Sequence, residues 1–275
     1  MRSLNLDLTQ PDSVAVVGYP FDENYTYLPG TGEGPRHIFE ALHNDASNTC
    51  TESGRSLARE ERFVECGIAA IDDYFDMIPL TAAALEQGTR PIFLGGEHSI
   101  TYPIVKAFAD RYNDLTIVHL DAHPDLYDEI RGNPYAHGCP FARIMAEGLA
   151  RKLIQIGIRT ATPHQREQAD RFGVETIDMR RLQRQLPLFK IDHPVYISLD
   201  LDVLDPAFAP GISHYEPGGM SVREVITVIQ GLEARVVGAD IVELNPSRDL
   251  NGMSAMVAAK FLKEIADKML GPQNG

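Results

Sequence analysis

An apolar run, Thr116-Ile-Val-His-Leu, leads into Asp121-Ala-His123-Pro-Asp125. Side chains alternate along an extended chain, so Asp121, His123 and Asp125 face one volume wherever the chain stays extended. Two carboxylates and an imidazole at the end of a buried strand are costly without a cation, because buried charges are paired or bound to metal. A second run, Val195-Tyr-Ile-Ser-Leu-Asp200-Leu-Asp202-Val-Leu-Asp205-Pro, carries Asp at i and i+2. Like charges on one face repel, burial raises their cost, and a divalent cation removes both problems. In a third stretch, Pro91-Ile-Phe-Leu-Gly95-Gly96-Glu97-His98-Ser99, a strand runs into a glycine turn, a histidine and a helix N-cap at Ser99. Glycines after a strand also occur in phosphate loops. Neither a Gly-x-Gly-x-x-Gly nor a Gly-Lys-Ser/Thr pattern is present, which argues against a nucleotide site.

These stretches supply six candidate ligands: His98, Asp121, His123, Asp125, Asp200 and Asp202. Nitrogen and oxygen donors with carboxylates in excess suit a hard or borderline metal such as Mn2+. The three cysteines, Cys50, Cys66 and Cys139, have no zinc-thiolate spacing. Six protein ligands are too many for one catalytic ion that keeps an open position. They suit two ions sharing carboxylates at about 3.5–4 Å, a pair able to lower the pKa of water from 15.7 towards about 7.

Such residues must be held by buried strands. Short apolar runs read as strands near Val14–Val17, Ile68–Ile71, Ile92–Leu94, Leu115–Leu120, Leu153–Ile158, Val174–Ile177, Val195–Leu199 and Val236–Val242. Between them, helical patterns cover Asp76–Gln87, Thr101–Tyr112, Pro140–Glu147, Pro163–Arg171, Ser221–Leu232 and Gly252–Met269. Strand runs without clean alternation indicate burial on both faces. Strand–helix alternation predicts a three-layer α/β/α fold with a mostly parallel sheet of about eight strands. No repeat or linker divides the chain, so residues 1–275 read as one domain. Asp22–Pro35, Asn44–Glu61 and Asp205–Gly219 resist the pattern, and long loops in a compact domain tend to be functional.

The chain has 275 residues, 25 Lys+Arg against 39 Asp+Glu, and a net charge of −14. No basic stretch is dense enough to follow a phosphate backbone, so nucleic acid is excluded as a partner. No apolar run approaches the length of a membrane span. The N-terminal MRSLNLDLTQPDS lacks an apolar secretory core, and the odd cysteine count favours a reducing compartment, taken as the cytoplasm.

The motifs make the sequence similar to the ureohydrolase family of arginases and agmatinases. Gly95-Gly-Glu-His-Ser-Ile, Asp121-Ala-His-Pro-Asp125 and Ser198-Leu-Asp-Leu-Asp-Val-Leu-Asp-Pro206 match its metal motifs in order, and Glu216-Pro-Gly-Gly219 and Val242-Glu-Leu-Asn-Pro246 are also family-like. Tyr135-Ala-His-Gly-Cys-Pro-Phe-Ala-Arg-Ile-Met145 and Met253-Ser-Ala-Met-Val-Ala-Ala-Lys260 resemble the branch containing plant arginases. The resemblance implies one manganese on His98, Asp121, Asp125 and Asp200, and a second on Asp121, His123, Asp200 and Asp202. It implies hydrolysis of a guanidinium group to urea and an amine. Asp125 would pass a proton to the amine, His137 would meet the substrate and shuttle protons, and Glu243 would hold the guanidinium. The last role agrees with the sequence itself, since Glu243 ends an apolar strand where a buried acid needs a cationic partner; a salt bridge to Arg248 or another basic residue is the alternative.

Cys139 stands where other members carry Ser, Thr or Gln, as a packing residue or part of the substrate entrance. Ile212-Ser-His-Tyr-Glu-Pro replaces a Gly-Thr-rich loop common in agmatinases. Agmatine is the first substrate expected, because no Arg or Lys is evidently placed for an α-carboxylate. L-arginine follows, then guanidino acids and formiminoglutamate. The resemblance also implies a homotrimer or homohexamer. A non-catalytic member would need a broken ligand set, and a deacylase would have no guanidinium for Glu243 to hold.

Overall fold

The computed structural model describes residues 4–182 and 190–272; the first three residues of the polar N-terminal stretch lie outside them. Eight strands form one sheet: β1 (Val14–Tyr19), β2 (Phe63–Ile68), β3 (Arg90–Gly95), β4 (Thr116–Leu120), β5 (Lys152–Ile156), β6 (Glu175–Ile177), β7 (Lys190–Asp200) and β8 (Glu233–Val242). Their order is β2-β1-β3-β8-β7-β4-β5-β6, and every neighbouring pair runs parallel, so the sheet is parallel throughout rather than mostly so.

The absence of alternation has its cause in two cores. Val14, Val16, Ile92, Leu94, Val118 and Leu120 pack on one face of the sheet, and Ala15, Val17, Phe93 and Ile117 on the other. The first face is covered by α1 (Gly34–Leu42), α7 (Val222–Gly231) and α8 (Met253–Leu270). The second is covered by α2 (Met77–Glu86), α3 (Thr101–Ala109) and α4 (Pro140–Ala146), with α5 (Pro163–Phe172) beside them. A four-residue α6 (Met179–Leu182) follows β6. Thr162 and Ser221 begin α5 and α7 with capping boxes, each side chain accepting the N3 amide.

Three local expectations are corrected. The second strand spans Phe63–Ile68, and Ile71 lies beyond it; β2 is an edge strand, so its partly buried residues give a weaker apolar signal. Helix α1 was not anticipated, although Ile38, Ala41 and Leu42 form a buried stripe and Pro35 occupies its first turn. Ser99 is not the cap before α3; the Glu97 side chain accepts the Ser99 amide and caps a 3-10 turn, His98–Ile100, that runs into the helix.

The four strands β3, β8, β7 and β4 are adjacent in the sheet, and motifs spread from His98 to Glu243 in sequence emerge side by side at their carboxyl ends. The polar segment 44–61 is not part of that edge: Arg55 is buried against Asp267 and Glu60, and Glu52 pairs with Arg223 and Lys260.

Candidate active site

His98 follows β3, Asp121 follows β4, Asp200 ends β7 and Glu243 follows β8. A Cβ on Gly96 would collide with the carbonyl of Phe21, so the glycine lets the β3 turn pass against the neighbouring loop and deliver His98 inward. The Nδ1 of His98 then lies 3.1 Å from one oxygen each of Asp121, Asp125 and Asp200. This buried nitrogen nevertheless makes no hydrogen bond among the described residues. One proton could serve only part of a nitrogen and three oxygens converging on one point; a cation serves all four. Beside it, His123 Nδ1 lies 2.9 Å from Asp202 Oδ2 and 3.4 Å from Asp121 Oδ1, a second cluster able to hold an ion. The donor set therefore fits two hard or borderline cations sharing carboxylates.

The surroundings fix these groups. Ser198 donates to the buried Asp240 at 2.7 Å, so its oxygen accepts from His98 Nε2–H at 2.9 Å, leaving Nδ1 bare and facing the carboxylates. Sequence reading passed over His119, which is fully buried. The Gln155 amide donates to its Nδ1 at 3.1 Å and to the Pro124 carbonyl at 2.7 Å, so Nε2–H of His119 donates to Asp121 Oδ2 at 2.8 Å. His119 therefore orients a carboxylate, though its atoms lie close enough to count with His98 and Asp121 as a cluster. Its signal was available: it lies two residues before Asp121 on the same strand face.

Charge is concentrated here. Burial, together with Asp202 and Asp121, drives the Asp200 carboxyl well above the usual range, and burial and Asp121 raise Asp202 to about 6. Burial also opposes ionisation of Asp121, but His119, His123 and His98 outweigh it and hold that carboxyl low. Asp125 and Glu243 both have positive φ, 50° and 68°, backbone that non-glycine residues adopt only when the surroundings impose it. Glu243 Oε1 accepts the His98 amide at 2.9 Å, and burial and Glu97 raise its carboxyl well above the ordinary value. Among the described residues no Lys or Arg pairs with Glu243; Arg248 instead packs over Tyr215. Cys139 is buried at the start of α4 and does not line the cavity.

Asp125, His123, Asp200, Asp202, His137 and Glu243 line one cavity of about 220 Å³. Its mouth takes residues from two of the irregular loops. Thr26 Oγ1 lies 2.7 Å from His137 Nε2, and the His214 ring stacks on that of His137. The remaining wall is neutral, with Thr160, Thr162, Gln165 and Tyr127.

A sequence model of the arginase family matches residues 12–267. The chain belongs to the arginase family. Arginase-family enzymes are metal-dependent hydrolases that cleave C–N bonds of guanidino compounds. The chain is 42% identical over 277 residues to "Arginase 1, mitochondrial" of Arabidopsis thaliana, covering 94% of this chain and 81% of the relative. It is 33% identical to an agmatinase of Bacillus anthracis, covering 93% and 91%. The solved arginase of Medicago truncatula superposes with a TM-score of 0.87 at 38% identity, covering 94% of this chain and 87% of that one. This arginase-family chain has no helix among its described residues long and apolar enough to cross a membrane.

Proposed function

We propose that this chain is a binuclear manganese hydrolase that converts agmatine to putrescine and urea. The convergence of His98 Nδ1 with three carboxylate oxygens carries the reading, next to a buried Glu243 with no cationic partner among the described residues. His98, Asp121, Asp125 and Asp200 would hold one ion, and Asp121, His123, Asp200 and Asp202 the other. Bound there, two divalent ions supply Lewis acidity that acidifies water at neutral pH.

The protein's own residues do the rest. Glu243 is held by the His98 amide and meets the guanidinium cation, which offsets the cost of its burial. His137 is kept neutral by burial, which lowers its pKa, so it is free to accept a proton and pass it to the leaving amine. Asp125, at 3.1 Å from His98 and lining the cavity, receives the proton released at the reacting centre. Among the described residues no Lys or Arg lines the cavity, which favours a substrate tail without a carboxylate. L-arginine is the second reading, favoured by the 42% identity to a plant arginase and by the neutral donors Thr26, Thr160, Thr162 and Gln165. We place the enzyme in the cytoplasm as a homo-oligomer, a reading supported by three free cysteines and by the family resemblance respectively. Urea release by the Mn2+-loaded protein from agmatine, L-arginine and guanidinobutyrate tests this. The highest kcat/KM is expected with agmatine; a preference for arginine selects the second reading, and no urea from any of them refutes both.

A further inference from the structure

A second cavity, of about 530 Å³, lies against the catalytic pocket and shares Thr160 and Gln165 with it. Its lining contains four arginines, Arg159, Arg166, Arg180 and Arg181, and only two acids, Asp170 and Asp178. This is an unusual balance in a chain whose acids outnumber its bases 39 to 25. None of the four arginines forms an ion pair among the described residues, even though both aspartates line the same cavity. The adjoining segment 183–189, Gln-Arg-Gln-Leu-Pro-Leu-Phe, contains no acid that could neutralise them.

The arginines divide by role. Arg159 is committed to the fold, donating to the carbonyls of Gly157, Asp202, Val203, Leu204 and Glu216. Arg181 donates to the Thr176 carbonyl. Among the described residues, Arg166 makes one side-chain bond, through Nε to the Ala161 carbonyl, and the Arg180 side chain makes none. Two guanidinium groups with free donors around one concave volume form a positive focus. A planar fork of donors matches carboxylate and phosphate oxygens, and such charge-assisted bonds are the strong ones.

We propose that this cavity binds a small oxyanion, a carboxylate or phosphate group of a metabolite, through Arg166 and Arg180. Thr160 and Gln165 form a wall common to both cavities, so the bound anion sits next to the catalytic pocket without entering it. The site is independent of which guanidino compound is hydrolysed.

Calorimetric titration of the Mn2+-loaded protein with succinate and with inorganic phosphate, at constant ionic strength set by chloride, tests the site. Saturable binding of at least one is expected, and whichever binds more tightly identifies the carboxylate or the phosphate as the natural group. The double substitution Arg166→Ala/Arg180→Ala should weaken that binding roughly tenfold or more, the loss expected for a charge-assisted hydrogen bond. Its urea release without added anion should match the wild type, since neither residue lines the catalytic pocket. The same titration on metal-free protein should still show binding. The proposal is overturned by no saturable binding of either anion, by undiminished binding in the double variant, or by binding that disappears with the metal, which would put the anion on the catalytic centre.

Discussion

The imidazoles of His137 and His214 lie face to face, their centroids 4.9 Å apart and their planes 18° from parallel. His137 comes from the loop before α4 and His214 from the loop between β7 and α7, so neither contact is visible in the local sequence. His214 also meets Tyr27, at 5.5 Å. Burial, with His137 and His123 nearby, lowers His214 to about 4, so it stacks as a neutral ring at physiological pH. An aromatic pair of this kind contributes about 0.5–1.5 kcal/mol. His214→Ala should therefore lower kcat about 2- to 12-fold by loosening His137, with metal content retained, whereas His214→Phe should keep most of the rate. Equal kcat in the alanine variant and the wild type would remove His214 from the account.

His137→Asn should act more strongly. A positioned acid–base group contributes roughly 10²- to 10⁴-fold, and that loss should appear in kcat while bound metal stays constant. Added imidazole should restore part of the rate. A variant whose only defect is lost metal would make His137 a ligand or a structural residue instead.

Glu243→Gln separates binding from folding. If Glu243 meets the guanidinium as proposed, removing its charge should lower kcat/KM by about 10- to 150-fold, the worth of a hydrogen bond to a charged group. The same change removes a carboxyl that burial has pushed well above its ordinary pKa, so the metal-free variant should melt at a higher temperature than the metal-free wild type at neutral pH. Lower stability in the variant would mean that Glu243 supports the fold rather than the substrate.

Metal affinity should depend on pH in a stated direction. In the metal-free protein Asp202 holds its proton up to about pH 6 instead of the ordinary 3.8. Protons and cations compete for this carboxylate, so affinity should be nearly flat above pH 6 as far as Asp202 is concerned. Below that, it should fall about tenfold per pH unit for each proton displaced. Titration of Mn2+ at several pH values measures the slope; affinity that rises on acidification contradicts the arrangement.

Much of the edge that carries the site was legible because each strand end announces its chemistry. Asp-x-His-x-Asp after an apolar strand, and Asp-x-Asp after another, are costly patterns with few uses. Most of the strands could be located for a similar reason: apolar runs buried on both faces have few polar interruptions, whereas the partly buried edge strand β2 was expected too late in the chain. What escaped was relational. His119 looks like an ordinary strand residue until Gln155, from the neighbouring strand β5, fixes its tautomer. The His214 contact depends on where a loop folds back. Segment 44–61 resembled a functional loop because it is polar, yet its charges pair with α7 and α8, and none of its residues lines the cavity that holds Glu243.

Two shared ions are the centre of this account, and Asp200 is the residue that tests them best: its Oδ2 lies 3.1 Å from His98, and the Asp202 amide donates to its Oδ1 at 2.7 Å. Manganese bound per chain should be measured by elemental analysis, together with urea release, on the same preparations of wild type and Asp200→Ala. The wild type should hold about two ions and release urea. The variant should hold fewer and release none above background. Two ions per chain and normal turnover in Asp200→Ala would contradict the two-metal site.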